Sequence, residues 1–241
     1  MMLALIAPRP AIAEQLVLSG SSTMQKLVLE PVQKVLEKKT GVMIDCSGPG
    51  SIYGVKALMR KEVAAALISC PLDLVFPETG IPTEGTYQEH VIHQDIVVAI
   101  VNPGNKVKGL TLAQLAGIHS GKITNWKDVG GSDSRIVVVV PPQTSGTRAF
   151  IRDAVLQGAA FAESAYVTVT AREAIDIVAK SPIAIAMLSD GFVRMGNGKV
   201  KTVKTPPLKR QLSIVTRDDP SPALKAVIAF LKSKEAKKLF R

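Results

Sequence analysis

The order of apolar and polar runs predicts an α/β protein. Short runs of aliphatic and β-branched residues alternate with longer stretches of helical spacing, and serine- and glycine-rich turns join strand to helix at three places. The chain has 241 residues, 46% hydrophobic and 21% charged, enough to bury a sizeable core without a disulfide or a metal.

The elements follow in order. Residues 16–18 read as a buried strand, and the turn at 20–23 opens a helix through about residue 39. Residues 42–44 form the next strand and 47–51 the next turn. A helix then runs to about residue 61, with Val55, Leu58 and Met59 at helical spacing. Residues 64–69 are a third strand, stopped by Pro71. Residues 91–101 form an apolar run longer than a typical strand, suited to crossing between two lobes. Thr111 caps a helix (TLAQLAGI), residues 135–140 are a strand, and 141–146 are the turn before a helix through about residue 157. Residues 171–179 are expected to be helical, 183–187 and 212–216 extended, and 222–240 one amphipathic closing helix.

Composition narrows the partners. The 30 Lys+Arg against 20 Asp+Glu give a formal charge of +10, which suits an anionic partner of some kind. With only 4% aromatic residues, the basic stretches at 199–209 and 232–238 lack a stacking platform, so nucleic acid is not expected. The start (MMLALIA, then Pro8-Arg9-Pro10 and Ala11-Ile12-Ala13) reads as the remnant of a secretory signal cut after Ala13. A soluble, periplasmic protein is expected. Cys46 and Cys70 make no disulfide framework, and whether they pair is left open.

The turns at 20–23, 50–52 and 144–147 carry the chemistry. A helix N-terminus presents unpaired N–H groups and a partial positive charge, and flanking hydroxyls add donors. Any one such serine or threonine is most simply a helix cap. Three turns of one design favour a shared oxyanion.

Residues 16–29 (LVLSGSSTMQKLVL), 50–58 (GSIYGVKAL), 95–131 (DIVVAIVNPGNKVKGLTLAQLAGIHSGKITNWKDVGG) and 144–150 (TSGTRAF) resemble, in order, the periplasmic phosphate-binding proteins of ABC importers. The resemblance implies a class II solute-binding fold, two α/β lobes joined by a two-segment hinge. Residues 14–97 with 205–241 would form lobe 1, and 98–204 lobe 2. It implies phosphate or a similar oxyanion as ligand, a membrane ABC permease as partner, a monomer, and no cofactor or metal. The implied ligand-binding residues are Ser22, Thr23, Met24, Ser51, Ser145, Gly146 and Thr147, with Arg148 as a partial substitute for a missing arginine.

The sequence departs from that pattern where the pattern carries charge. Cys70 stands where the resemblance expects the aspartate that accepts the proton of hydrogen phosphate. Pro141-Pro142 stand where it expects an arginine, and Met24 replaces an aromatic residue. Losing one charge-assisted hydrogen bond is worth on the order of 1.5–3 kcal/mol, so poor discrimination between phosphate and sulfate is expected. A ligand-deficient or differently specific sensory module on the same fold is the alternative. Catalysis is not expected: Ser51 or Ser145 would need a base, and His90, His93 and His119 sit in no triad-like motif. His90 and His93 are spaced i, i+3, but nothing nearby completes a metal site.

Overall fold

The computed structural model describes residues 14–241, so the expected signal remnant at 1–13 lies outside the described residues. Eight strands are present: β1 (Glu14–Gly20), β2 (Val42–Ser47), β3 (Ala65–Ile68), β4 (Tyr87–Val101), β5 (Val137–Val140), β6 (Tyr166–Val167), β7 (Ala184–Ser189) and β8 (Lys201–Arg217). They form one mixed sheet in the order β2-β1-β3-β8-β4-β7-β5-β6. β1 lies parallel to β2 and β3, and β5 parallel to β6 and β7. The α/β class read from the alternating runs is the fold observed.

The two halves of the sheet share one long antiparallel ribbon. β4 and β8 pair from Tyr87 opposite Arg217 to Val101 opposite Lys201. β8 takes β3 as its other neighbour through Ser213, Ile214 and Val215, whereas β4 takes β7 through residues 97–101. Both strands are longer than expected, and β8 far more so. Its first half is mostly lysine and threonine, with Val203 and Leu208 the aliphatic residues, and contains Pro206-Pro207, which have no N–H to give a ladder. The pairing accommodates them in an irregularity: Leu208 sits opposite Val97, and the next registered pair is Val203 with Ala99.

The helices are α1 (Ser22–Met24), α2 (Glu30–Thr40), α3 (Ser51–Met59), α4 (Phe76–Thr79), α5 (Leu112–His119), α6 (Gly146–Ala154), α7 (Ala171–Lys180), α8 (Asp190–Met195), α9 (Pro222–Lys232) and α10 (Lys234–Lys237). The expected helix from the first turn is continuous, but its residues Gln25–Leu29 are wound as π-helix. Pro31 cannot donate to the Leu27 carbonyl four residues back, and that oxygen instead accepts the N–H of Arg241 at 3.0 Å. The expected closing helix is split at Ser233, which is extended (ψ 155°) and caps α10 through Oγ.

Successive strand residues serve opposite faces. In β3, Ala66 and Ile68 join a core shared by α3, α5 and α6 residues, while Ala65 and Leu67 join one built with α2 and α9. β7 divides likewise: Ile185 and Met187 face the first core, and Ala184, Ala186 and Leu188 face a third with α7. Strands covered on both faces read as unbroken apolar runs, which is why these were legible. Cys46 and Cys70 are free thiols. Among the described residues no helix is long and apolar enough to cross a membrane.

Candidate functional site

The three turns meet where the two halves of the sheet face each other. In the first, Gly20 (φ +142°) follows β1, and a Cβ there would lie 2.1 Å from the Leu67 carbonyl oxygen. Ser21 then caps α1, its Oγ accepting the Met24 N–H at 3.3 Å. In the second, Gly50 (φ +122°) donates its N–H to the Gly20 carbonyl at 2.8 Å, tying the two turns together. In the third, Ser145 caps α6, its Oγ accepting the Thr147 N–H at 3.1 Å.

The second and third turns, from opposite halves, also bond directly. Ile52 N–H donates to the Thr144 carbonyl at 3.2 Å, and Thr144 Oγ1 donates to the Pro49 carbonyl at 3.1 Å. Gly146 marks the meeting point. A Cβ on it would lie 2.4 Å from Ser51 Oγ, 2.8 Å from Ser69 Oγ and 3.1 Å from Cys70 Sγ. The glycine is required because the hydroxyls of the other half fill that space.

Between the turns lies a cavity of about 60 Å³. One water centre needs roughly 10–15 Å³, so the space suits a small tetrahedral anion. Hydroxyls line it from both sides: Ser21, Ser22, Thr23, Ser51 and Ser69 from the first half, Ser145, Thr147, Thr168, Thr170 and Ser189 from the second. Several have their accepting role already filled by an N–H. Ser21 Oγ takes Met24, Ser51 Oγ takes Ser69 (3.2 Å), and Ser145 Oγ takes Thr147. Thr147 Oγ1 accepts from a guanidinium (2.7 Å). None of these four donates to a protein acceptor among the described residues, so each O–H is available to an anion in the cavity.

No Asp, Glu, Lys, Arg or His lines the cavity among the described residues. The nearest positive charge sits just behind it. Arg210 on β8 is 3% exposed and lies directly opposite Asp95 in the shared ribbon. Its Nε donates to Asp95 Oδ2 at 2.8 Å, and its Nη1 donates to Thr147 Oγ1 and to the Ser69 carbonyl at 2.9 Å. Nη2 lies 2.7 Å from the same Asp95 oxygen but makes no aligned hydrogen bond. Asp95 Oδ1 accepts from Ser189 Oγ at 2.7 Å, so both carboxylate oxygens are engaged away from the cavity. Burial pushes the neighbouring Cys70 thiol up to about 12, which keeps it neutral.

Six of the eight expected residues line the cavity: Ser22, Thr23, Ser51, Ser145, Gly146 and Thr147. Met24 does not. Its side chain is fully buried in the core under α2 and α9, because position 24 of a helix starting at Ser22 faces the sheet, and its N–H is engaged by Ser21. Arg148 does not either. Its Nη1 donates to the Pro141 carbonyl at 3.0 Å and its guanidinium lies 4.5 Å from the Phe161 ring centroid, so it turns away from the cleft. The guanidinium that does reach a cavity-lining hydroxyl comes from another segment: Arg210, through Thr147 Oγ1. Sequence reading missed Ser69, Asp95 and Arg210. Asp95 lies between Gln94 and Ile96 and Arg210 between Lys209 and Gln211, so nothing local marks either as a buried charge. The histidines lie elsewhere: His90 bonds Thr216 Oγ1 (3.0 Å), His93 packs on Phe240, and His119 is buried with Nδ1 on the Leu115 carbonyl.

Known proteins share this fold. Residues 6–235 match the PBP superfamily domain. Phosphate-binding protein PstS of Bacillus subtilis strain 168 is 35% identical over 184 residues, covering 74% of this chain and 58% of that protein. The chain thus spans a little over half the length of that relative. A phosphate ABC transporter substrate-binding protein from Clostridium perfringens, so described and solved with phosphate bound, superposes with a TM-score of 0.82 at 25% identity. The alignment covers 94% of this chain and 96% of that one. An ABC-type phosphate transport receptor from Vibrio cholerae gives a TM-score of 0.74 at 27% identity, over 93% and 96% of the two chains. With the domain match covering nearly its whole length, this chain belongs to the PBP superfamily.

Proposed function

We propose that this chain is an extracytoplasmic solute-binding protein that captures phosphate, or a closely similar tetrahedral oxyanion, for a membrane ABC permease. One observation carries the reading. Hydroxyls from three separate turns converge on one small cavity, and four of them already accept an N–H while donating to no protein group among the described residues, which leaves their protons available to an anion. The N-termini of α3 and α6 open onto the same space and add helix-dipole charge. Relatives bearing phosphate-binding names support phosphate as the first candidate.

In this reading residues 14–97 with 205–241 form one lobe and 98–204 the other. The β4–β8 ribbon is the hinge, and the bonds from Thr144 to Ile52 and Pro49 hold the lobes closed. The protein acts as a monomer in the periplasm and binds no nucleic acid. It acts as a binding protein and not as a catalyst, as the relatives with phosphate-binding names support.

Titration calorimetry with phosphate, sulfate, molybdate and a phosphonate tests the proposal. One-to-one phosphate binding is expected, with thermal stabilisation, since a ligand at 100 times its Kd adds about 2.7 kcal/mol to the folded state. No heat and no melting shift across the panel would overturn it and favour a module that kept the fold without the ligand.

A further inference from the structure

Phosphate and sulfate have the same shape and differ at neutral pH in one proton. A site tells them apart when a fixed acceptor waits for that proton and repels an oxygen that lacks it. Among the described residues no carboxylate lines the cavity, and both Asp95 oxygens are held by Arg210 and Ser189. At the position after β3, the neutral Cys70 thiol stands beside Gly146.

Ser69 is the group left to meet the remaining anion oxygen. It is 1% exposed and lines the cavity, and its Oγ has no hydrogen-bond partner. Its backbone is held on both sides, the N–H by Ser51 Oγ and the carbonyl by Arg210 Nη1, so the residue is fixed at the cavity wall. A buried hydroxyl without a partner is penalised, which points to a ligand as the partner. A hydroxyl also both donates and accepts. It can accept the proton of hydrogen phosphate or donate to a bare sulfate oxygen by rotating about one bond.

We propose that the cleft takes tetrahedral oxyanions whether or not they carry a proton, hydrogen phosphate and sulfate alike, and that the Ser69 hydroxyl makes it so. The proposal rests on the oxyanion-binding function proposed above and names the substrate class of that same cleft. Calorimetry at pH 8 with inorganic phosphate and with sulfate tests it on the wild type, Ser69→Ala and Cys70→Asp. The wild-type Kd values are expected within about tenfold of each other, and Ser69→Ala is expected to weaken both by about five- to tenfold. Cys70→Asp supplies a fixed acceptor and is expected to reduce sulfate binding at least hundredfold relative to phosphate. If that variant does not fold, the wild-type ratio and Ser69→Ala decide by themselves. A wild-type preference for phosphate above about a hundredfold, or a Ser69→Ala protein that binds both anions unchanged, overturns this inference and leaves the functional reading standing. A wild type that binds neither anion overturns both.

Discussion

Gly50→Ala is a direct test of how the cleft closes. Gly50 belongs to the second turn, and the atoms its Cβ would meet belong to the third, across the cleft. They are the Thr144 carbonyl oxygen at 2.4 Å and Thr144 Oγ1 at 2.7 Å, where real contacts are essentially never below 3.0 Å. The turns must therefore separate by at least about 0.6 Å, the difference between 3.0 and 2.4 Å. The same separation stretches the Ile52-to-Thr144 bond (3.2 Å) and the Thr144-to-Pro49 bond (3.1 Å). At about 1 kcal/mol each, the closed form loses about 2 kcal/mol, or roughly thirtyfold in oxyanion affinity. The φ of +122° adds backbone strain on the order of 1–3 kcal/mol that burdens open and closed forms alike and appears in the melting temperature. Gly41→Ala is the matched control. It has φ +70° with nothing within 4 Å of the added Cβ, so it carries strain without a clash. Calorimetry with phosphate, beside melting curves of the ligand-free proteins, separates the two effects. If Gly50→Ala binds as tightly as Gly41→Ala, the contact between the turns does not hold the closed state and the closure argument fails.

Two further outcomes follow from buried charge. His119 is 1% exposed, and burial lowers its pKa from 6.5 to about 4, against a smaller raising effect from the Leu115 carbonyl. The folded state therefore binds fewer protons, and stability present above pH 6.5 is lost as pH falls towards 4. The loss is about 3 kcal/mol at 1.36 kcal/mol per unit. Urea unfolding from pH 7 to 4 should show the wild type losing about 2–3 kcal/mol more than His119→Leu, and parallel curves would refute the assignment. Arg210→Met strands the Asp95 carboxylate in the shared ribbon and should cost about 3–5 kcal/mol. Arg210→Met with Asp95→Leu should recover most of that stability but not the oxyanion affinity, because Thr147 loses the donor that orients its hydroxyl. Recovery of both would show the pair to be structural alone.

Much of the fold was legible because strands covered on both faces must be apolar throughout. Residues 64–69 and 183–187 read as strands for that reason, and their alternate residues enter different cores. The first half of β8 was not legible. Lysine and threonine fill most of it, and Pro206-Pro207 forbid regular pairing until the irregularity between Val97 and Ala99 absorbs them. The break at Ser233 was hidden because Ser and Lys suit a cap and a helix interior alike.

The sequence by itself determined the three donor turns. Glycine where the backbone must approach another strand, and serine or threonine where a helix begins, are local requirements that nearby residues display. Set beside the family pattern it resembles, it also showed Cys70, Pro141 and Pro142 where that pattern has an acid and an arginine. Only the tertiary structure decided that the turns converge, that Met24 enters the core, that Arg148 turns to Phe161, and that Ser69 is left without a partner. Only there does Arg210, 63 residues from Thr147 in the chain, arrive behind the cleft. The reason is physical: a hydroxyl's role as cap or ligand depends on which groups from distant segments have already filled its lone pairs, and that is a property of packing.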